Sequence, residues 1–159
     1  MIRDLTDPGI LTDGEISLVL RKTTPADPEK GFVPAYIFNI TKTDTDEAAG
    51  EIALRVGYTG DLVWYAGHIG YGVHEPFRGN YYAAKACRLV LPLAAAHGMD
   101  VLWITCNPDN WASRKTCEFI GAELVGIVDL PEYTEMYKRG ERRKCRYRVI
   151  LKLSDAPDR

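Results

Sequence analysis

Two short stretches hold the residues best suited to chemistry. In the first, Glu75-Pro76-Phe77-Arg78-Gly79-Asn80-Tyr81-Tyr82-Ala83 follows a strand-like run and opens an alanine-rich segment with helical spacing. The first amides of a helix have no internal partner and sit at the positive end of its dipole. Such a junction can cradle a phosphate or pyrophosphate, and Arg78 adds a fixed positive charge at its mouth. In the second, Asn107, Asn110 and Ser113 follow another apolar strand-like run. There an amide side chain can cap a helix while a hydroxyl stands one turn further on. Three groups could take a proton from an acceptor: Glu51, His68 and Glu75. His68 has the intrinsic pKa best placed for that work. Two other phosphate motifs do not fit. Gly70 and Gly72 lie inside the strand and position 75 is Glu, so no G-x-G-x-x-G fingerprint forms, and no G-K-[ST] loop occurs.

These residues need elements to hold them. Alternation predicts strands over Glu15–Lys22, Val33–Thr41, Glu51–Tyr58 and Leu62–Val73, joined by polar turns as a meander. A helix is expected from about Tyr82 to His97, with Ala86, Leu89, Val90 and Leu93 on one face, a kink at Pro92 and a stop at Gly98. Val101–Cys106, almost wholly apolar, reads as a central strand. A second helix follows, capped by Asn110 and ended by Gly121. Then come strands over Ala122–Leu130 and Cys145–Leu153, separated by a charged excursion. This order gives an α+β class: a mixed, mostly antiparallel sheet of about seven strands, with helices after strands four and five. The 159 residues suit a single domain, with 1–14 as lead-in and 154–159 as tail.

A net charge of -2 argues against a general nucleic-acid binder. The basic run from Lys138 to Arg148 reads as a solvated face. The four cysteines form no C-x-x-C pair, so neither a metal site nor a disulfide framework is expected. With no signal segment and no apolar run long enough to span a bilayer, a cytoplasmic protein with reduced thiols is the simplest expectation.

The turn at 78–83 resembles the [RQ]-x-x-G-x-[GA] signature of the GNAT acetyltransferases, with Tyr81 where the family usually carries Gly. A side chain there must point outward or crowd the cofactor. Asn107, Asn110 and Ser113 resemble the N-x-x-N-x-x-S segment of the Rim-type branch, which acetylates protein N-termini. The order of elements resembles that fold over most of the chain. Where the family places one or two helices between its first two strands, only Thr23–Gly31 stands here. The resemblance implies a transferase that moves an acetyl group from acetyl-CoA to an amine, either a protein N-terminus or a small molecule. It implies that Arg78, Gly79, Asn80, Tyr81, Tyr82 and Ala83 hold the pyrophosphate, that Tyr71, Gly72 and Val73 pair with the pantetheine, and that Asn107 or Asn110 binds the same arm. Ser113 would protonate the departing thiolate. The base is left open between Glu51, His68 and Glu75. Cys117 occupies the place where many relatives have a tyrosine. No metal is implied, and a homodimer is one expected assembly. Two other classes remain beside the enzyme: a CoA-binding module without turnover, and an interaction domain using the basic run.

Overall fold

The computed structural model describes residues 5–151; of the expected lead-in and tail, residues 1–4 and 154–159 lie outside the described residues. Strands β1 (Leu11–Thr12), β2 (Ile16–Thr24), β3 (Ala35–Lys42), β4 (Ala48–Arg55) and β5 (Ile69–Val73) make one antiparallel sheet in chain order. Strands β6 (Val101–Cys106), β7 (Glu123–Asp129) and β8 (Arg143–Ile150) make a second, ordered β6-β8-β7. Helix α1 (Tyr82–Ala96) follows β5, α2 (Trp111–Phe119) follows β6, and α3 (Glu135–Lys138) is a single turn before β8. The mixed α+β class holds, but among the described residues there are eight strands in two sheets rather than about seven in one.

Alternation in β2 to β4 turns Ile16, Leu18, Tyr36, Phe38, Ile40, Ile52 and Leu54 to one side. There they pack on Ala86, Cys87, Val90 and Ala94 of α1 in one apolar cluster. The small residues of α1 let the helix lie close to the sheet. The helix extends past Pro92, which has no N–H to donate, to Ala96. Gly50 is required where β4 meets β5, since a Cβ there would lie 2.2 Å from the carbonyl oxygen of Gly72. Between β2 and β3 the only helical piece is the turn Pro28–Lys30, so no helix from this connection covers the sheet face opposite α1.

The fourth strand is shorter than its apolar run suggested. Leu62–Ala66 coils into one wide turn, with the Gly67 amide bonded to the Leu62 carbonyl at 2.7 Å. Gly67 then takes φ 77°, and a Cβ there would meet the Thr105 amide nitrogen at 3.0 Å. At this close approach the sheets touch: the His68 amide bonds the Trp103 carbonyl at 2.6 Å. Beyond it β5 pairs only with β4, and β6 only with β8. Strand β6 is therefore the inner edge of its sheet rather than its centre. Its apolar sequence reflects burial in the angle between the two sheets.

The basic run is largely consumed within the fold. Lys138, Arg139, Lys144 and Arg148 pair with Glu135, Glu141, Glu141 and Glu123. Arg142 lies over the Tyr137 ring, and Arg146 is held 4.0 Å from the ring centroids of both Trp64 and Trp103. Among the described residues no group of His, Cys, Asp and Glu could hold a metal, and no helix is long and apolar enough to cross a membrane. Cys87, Cys106, Cys117 and Cys145 are all buried as free thiols. Burial raises the thiol pKa of Cys87 and Cys106, and that of Cys117 to about 12.

Candidate active site

The divergence of β5 from β6 opens a cleft of about 780 Å³. Bond parity shows what its β5 wall offers. Arg55 N bonds His68 O, and His74 N bonds Ala49 O, both at 2.8 Å. In an antiparallel pair this turns the backbone groups of Gly70 and Gly72 toward β4 and those of Ile69, Tyr71 and Val73 toward the cleft. The Val73 carbonyl already accepts Arg78 Nε at 2.9 Å, which aims the start of the turn. Tyr71 and Val73 thus present their peptide groups to the cleft. Gly72 lines it with its surface only, and Ile69 joins them, a residue the motif comparison missed.

At the outer end, helix α1 begins without a side-chain cap, so its first amides have no side-chain acceptor. Gly79 takes φ 90°, and a methyl placed on it would meet nothing within 4 Å. Arg78, Tyr82 and Ala83 line the same end. Tyr81 adopts left-handed φ 60°, which explains why glycine suits the position. Its ring stacks on Phe119, centroids 4.8 Å apart, and the residue is 62% exposed; the space over Gly79 stays open. Asn80 closes the turn by donating Nδ2 to Phe77 O at 3.0 Å and does not line the cleft.

The other wall comes from β6 and α2. Asn110 caps α2 by accepting the Ser113 amide at 3.1 Å. Arg114 pins the preceding loop by donating to Pro108 O and to Tyr147 Oη, both at 3.1 Å. The Asn107 Oδ1 atom is buried in this wall with no hydrogen-bond partner. A buried acceptor left unsatisfied is costly, and an N–H from a bound molecule would satisfy it. Ser113 is buried, with Oγ 2.6 Å from Tyr71 Oη. Burial, first of all, pushes the Tyr71 phenol well above its usual range. Lys115 and Thr116 on α2 also line the cleft. Nothing in the motif marked them, although they stand one helical turn from Ala112 on the same face.

Two of the three base candidates are held elsewhere. His68 is fully buried; its Nδ1 accepts the Trp103 amide at 2.9 Å and its Nε2 bonds the Gly57 carbonyl at 2.9 Å. Both nitrogens are used, the proton sits on Nε2, and burial lowers the pKa to about 4. Glu51 is on the open sheet face, 2.7 Å from Arg21. Neither they nor Glu75 line the cleft; among the described residues its walls contain no carboxylate and no imidazole.

The sequence profile of the acetyltransferase (GNAT) domain matches residues 8–123. The chain belongs to the GNAT acetyltransferases. Solved GNAT structures share its fold. The ribosomal L7/L12 alpha-N-protein acetyltransferase RimL aligns at TM-score 0.64 and 19% identity, over 89% of this chain and 98% of that one. A GNAT acetyltransferase from Bacillus anthracis aligns at TM-score 0.59 and 18% identity, over 72% and 66%. The microcin C7 self-immunity acetyltransferase MccE, solved with acetyl-CoA and AMP, aligns at 0.58 and 19%, over 73% and 61%. The chain thus spans about two thirds or less of the last two proteins, and at these identities the likeness is one of fold. No protein of curated function matches the sequence significantly.

Proposed function

We propose that this GNAT protein is an acetyl-CoA-dependent N-acetyltransferase. One observation carries the reading: past the His68–Trp103 contact, the unpaired edge of β5 runs down an open cleft from the uncapped start of α1 toward Ser113. The residues present fit the cosubstrate. The α1 amides, Gly79 and Arg78 would hold a pyrophosphate, the Ile69, Tyr71 and Val73 peptides would pair with an amide-bearing arm, and the orphaned Asn107 Oδ1 would accept one of its N–H groups. RimL, named an alpha-N-protein acetyltransferase, supports an amine as acceptor, and MccE, solved with acetyl-CoA, supports the cosubstrate.

Acetyl-CoA would supply the activated acetyl group, and a thiolate must be neutralised as it leaves. Either hydroxyl can donate in the 2.6 Å bond between Tyr71 and Ser113; with Tyr71 Oη as the donor, the Ser113 hydroxyl proton would be free to turn into the cleft. Ser113 thus holds a proton at Oγ for the sulfur, with Tyr71 stabilising the oxygen behind it. Tyr71 reaches the neighbourhood of Cys117, and so brings a phenol to a region where many relatives draw one from the helix. With no carboxylate or imidazole in the walls, the amine binds neutral, its proton already lost to water. The cleft's contribution is then chiefly positioning.

Acetyl-CoA should raise the melting temperature, and turnover with an amine panel should release thiol. Arg78→Ala combined with Gly79→Val should abolish the thermal shift. A wild-type protein whose melting temperature ignores millimolar acetyl-CoA would end this reading.

A further inference from the structure

The inner end of the cleft carries a charge that the acetyl-transfer scheme does not use. Arg55 ends β4 and alternates with buried Leu54, so its side chain projects from the sheet face opposite α1. Its Nη1 donates to the Gly67 carbonyl at 2.9 Å. The guanidinium lies across β5, where a methyl on Gly70 would stand 3.6 Å from Nη2. Among the described residues that is the one hydrogen bond of the Arg55 side chain, and Arg55 lines the cleft together with Ala66, Thr105, Met136 and Lys144.

Among the described residues no carboxylate pairs with Arg55. Glu51, on the same face of β4, lies four residues away, roughly 13 Å along the strand, and is taken by Arg21. Lys144 is paired with Glu141, which it shares with Arg139. Nearby Arg146 donates to Val63 O at 3.1 Å and lies between two tryptophans, again without a carboxylate among the described residues. The inner end therefore presents the Arg55 guanidinium with no balancing carboxylate among the described residues, and Arg146, which does not line the cleft, brings none. Burial pulls the Arg55 pKa below the usual guanidinium range, as expected for a desolvated cation lacking a counterion. Keeping such a group is costly unless an anion meets it. The pyrophosphate cradle is at the other end of β5, so that anion is not the cosubstrate's.

We propose that Arg55 is a substrate-binding residue that receives a carboxylate of the acceptor, making the acceptor a small amino acid-like molecule. This rests on the acetyl-transfer reading above. A guanidinium fork with two free N–H edges suits a carboxylate, which it can hold by charge-assisted bonds while the amine faces the thioester.

Initial rates with acetyl-CoA should be compared for free amino acids, the matching amino acid amides, and short C-terminally amidated peptides with uncharged side chains. The free acids should be preferred by about 10- to 100-fold in kcat/KM. Arg55→Gln should bring that ratio to within about threefold, and Arg55→Lys should restore part of it. A second measurement needs no turnover and no variant: NMR titration of the wild-type protein, with and without CoA, using N-acetyl amino acids against N-acetyl amino acid amides. The acids should shift resonances near Gly67 and Gly70, and the amides should not. Amides or uncharged peptides matching the acids, or neither ligand shifting those resonances, would overturn the carboxylate subsite while CoA binding still stood. Loss of CoA binding itself would instead strike the acetyl-transfer reading, and the titration without CoA would still decide the subsite.

Discussion

The hydroxyls of Tyr71 and Ser113 meet at 2.6 Å across the gap between β5 and α2. Tyr71 also reaches the Cys117 thiol on the same helix, and on the acetyl-transfer reading the Tyr71–Ser113 pair stands where a departing sulfur would need a proton. If the pair acts as a unit, its deletions should not add. Ser113→Ala should lower kcat about 100-fold and Tyr71→Phe about 10-fold, whereas the double variant should be no slower than Ser113→Ala by more than about twofold. Additive losses in single-turnover kinetics would show two independent roles.

The walls without a base make a prediction about pH. Because the amine must shed its proton to water, kcat/KM should rise with pH and level off at the acceptor's own pKa. That break should move as acceptors of different basicity are compared. A break that stays fixed across acceptors would reveal a titrating protein group and restore a base to the mechanism.

His68 has its effect on stability. Its pKa falls from 6.5 unfolded to about 4 folded, so the unfolded state binds the proton first. The stabilisation is complete above pH 6.5, declines as pH falls toward 4, and is constant below that. The loss is on the order of 3 kcal/mol. Urea melts across this window should show the slope for wild type. His68→Gln should flatten it, at reduced overall stability, because a glutamine cannot supply both ring-nitrogen contacts.

Tyr81 holds a strained backbone and is compensated by its stack on Phe119. Tyr81→Gly should relieve about 1 kcal/mol of left-handed strain and lose a comparable amount of aromatic contact. Net stability should therefore change by under about 1 kcal/mol in urea melts, and acetyl-CoA should still raise the melting temperature. Loss of that response would mean that the ring itself contributes to the anion site.

Much of this arrangement could be read from local pattern. Val101–Cys106 stands out by its apolar run, α1 by its alanines, and the Asn110 cap by its position ahead of a helical spacing. Each of these is decided by near neighbours in the chain. The wide turn at Leu62–Ala66 was hidden because Leu-Val-Trp-Tyr-Ala suits a strand equally well, and the close approach of Gly67 to the Thr105 backbone, which marks its end, lies far along the chain. His68 looked like a base because its pKa in isolation is right. What removes it from that role is Gly57 and Trp103, one on the preceding loop and one on the next sheet. The Tyr71–Ser113 pair spans 42 residues, and no spacing rule reaches that far. Arg55 carries no local mark at all; the role proposed for it rests on the lack of a carboxylate partner among the described residues.

The burial of all four thiols has a practical corollary. Alkylating agents and peroxide attack thiolates; of these residues only Cys106 lines the cleft, and burial raises its thiol pKa. A chromogenic disulfide reagent added to a reaction mixture should then colour with each molecule of free CoA and barely with the protein, so turnover could be followed continuously without blocking any cysteine beforehand.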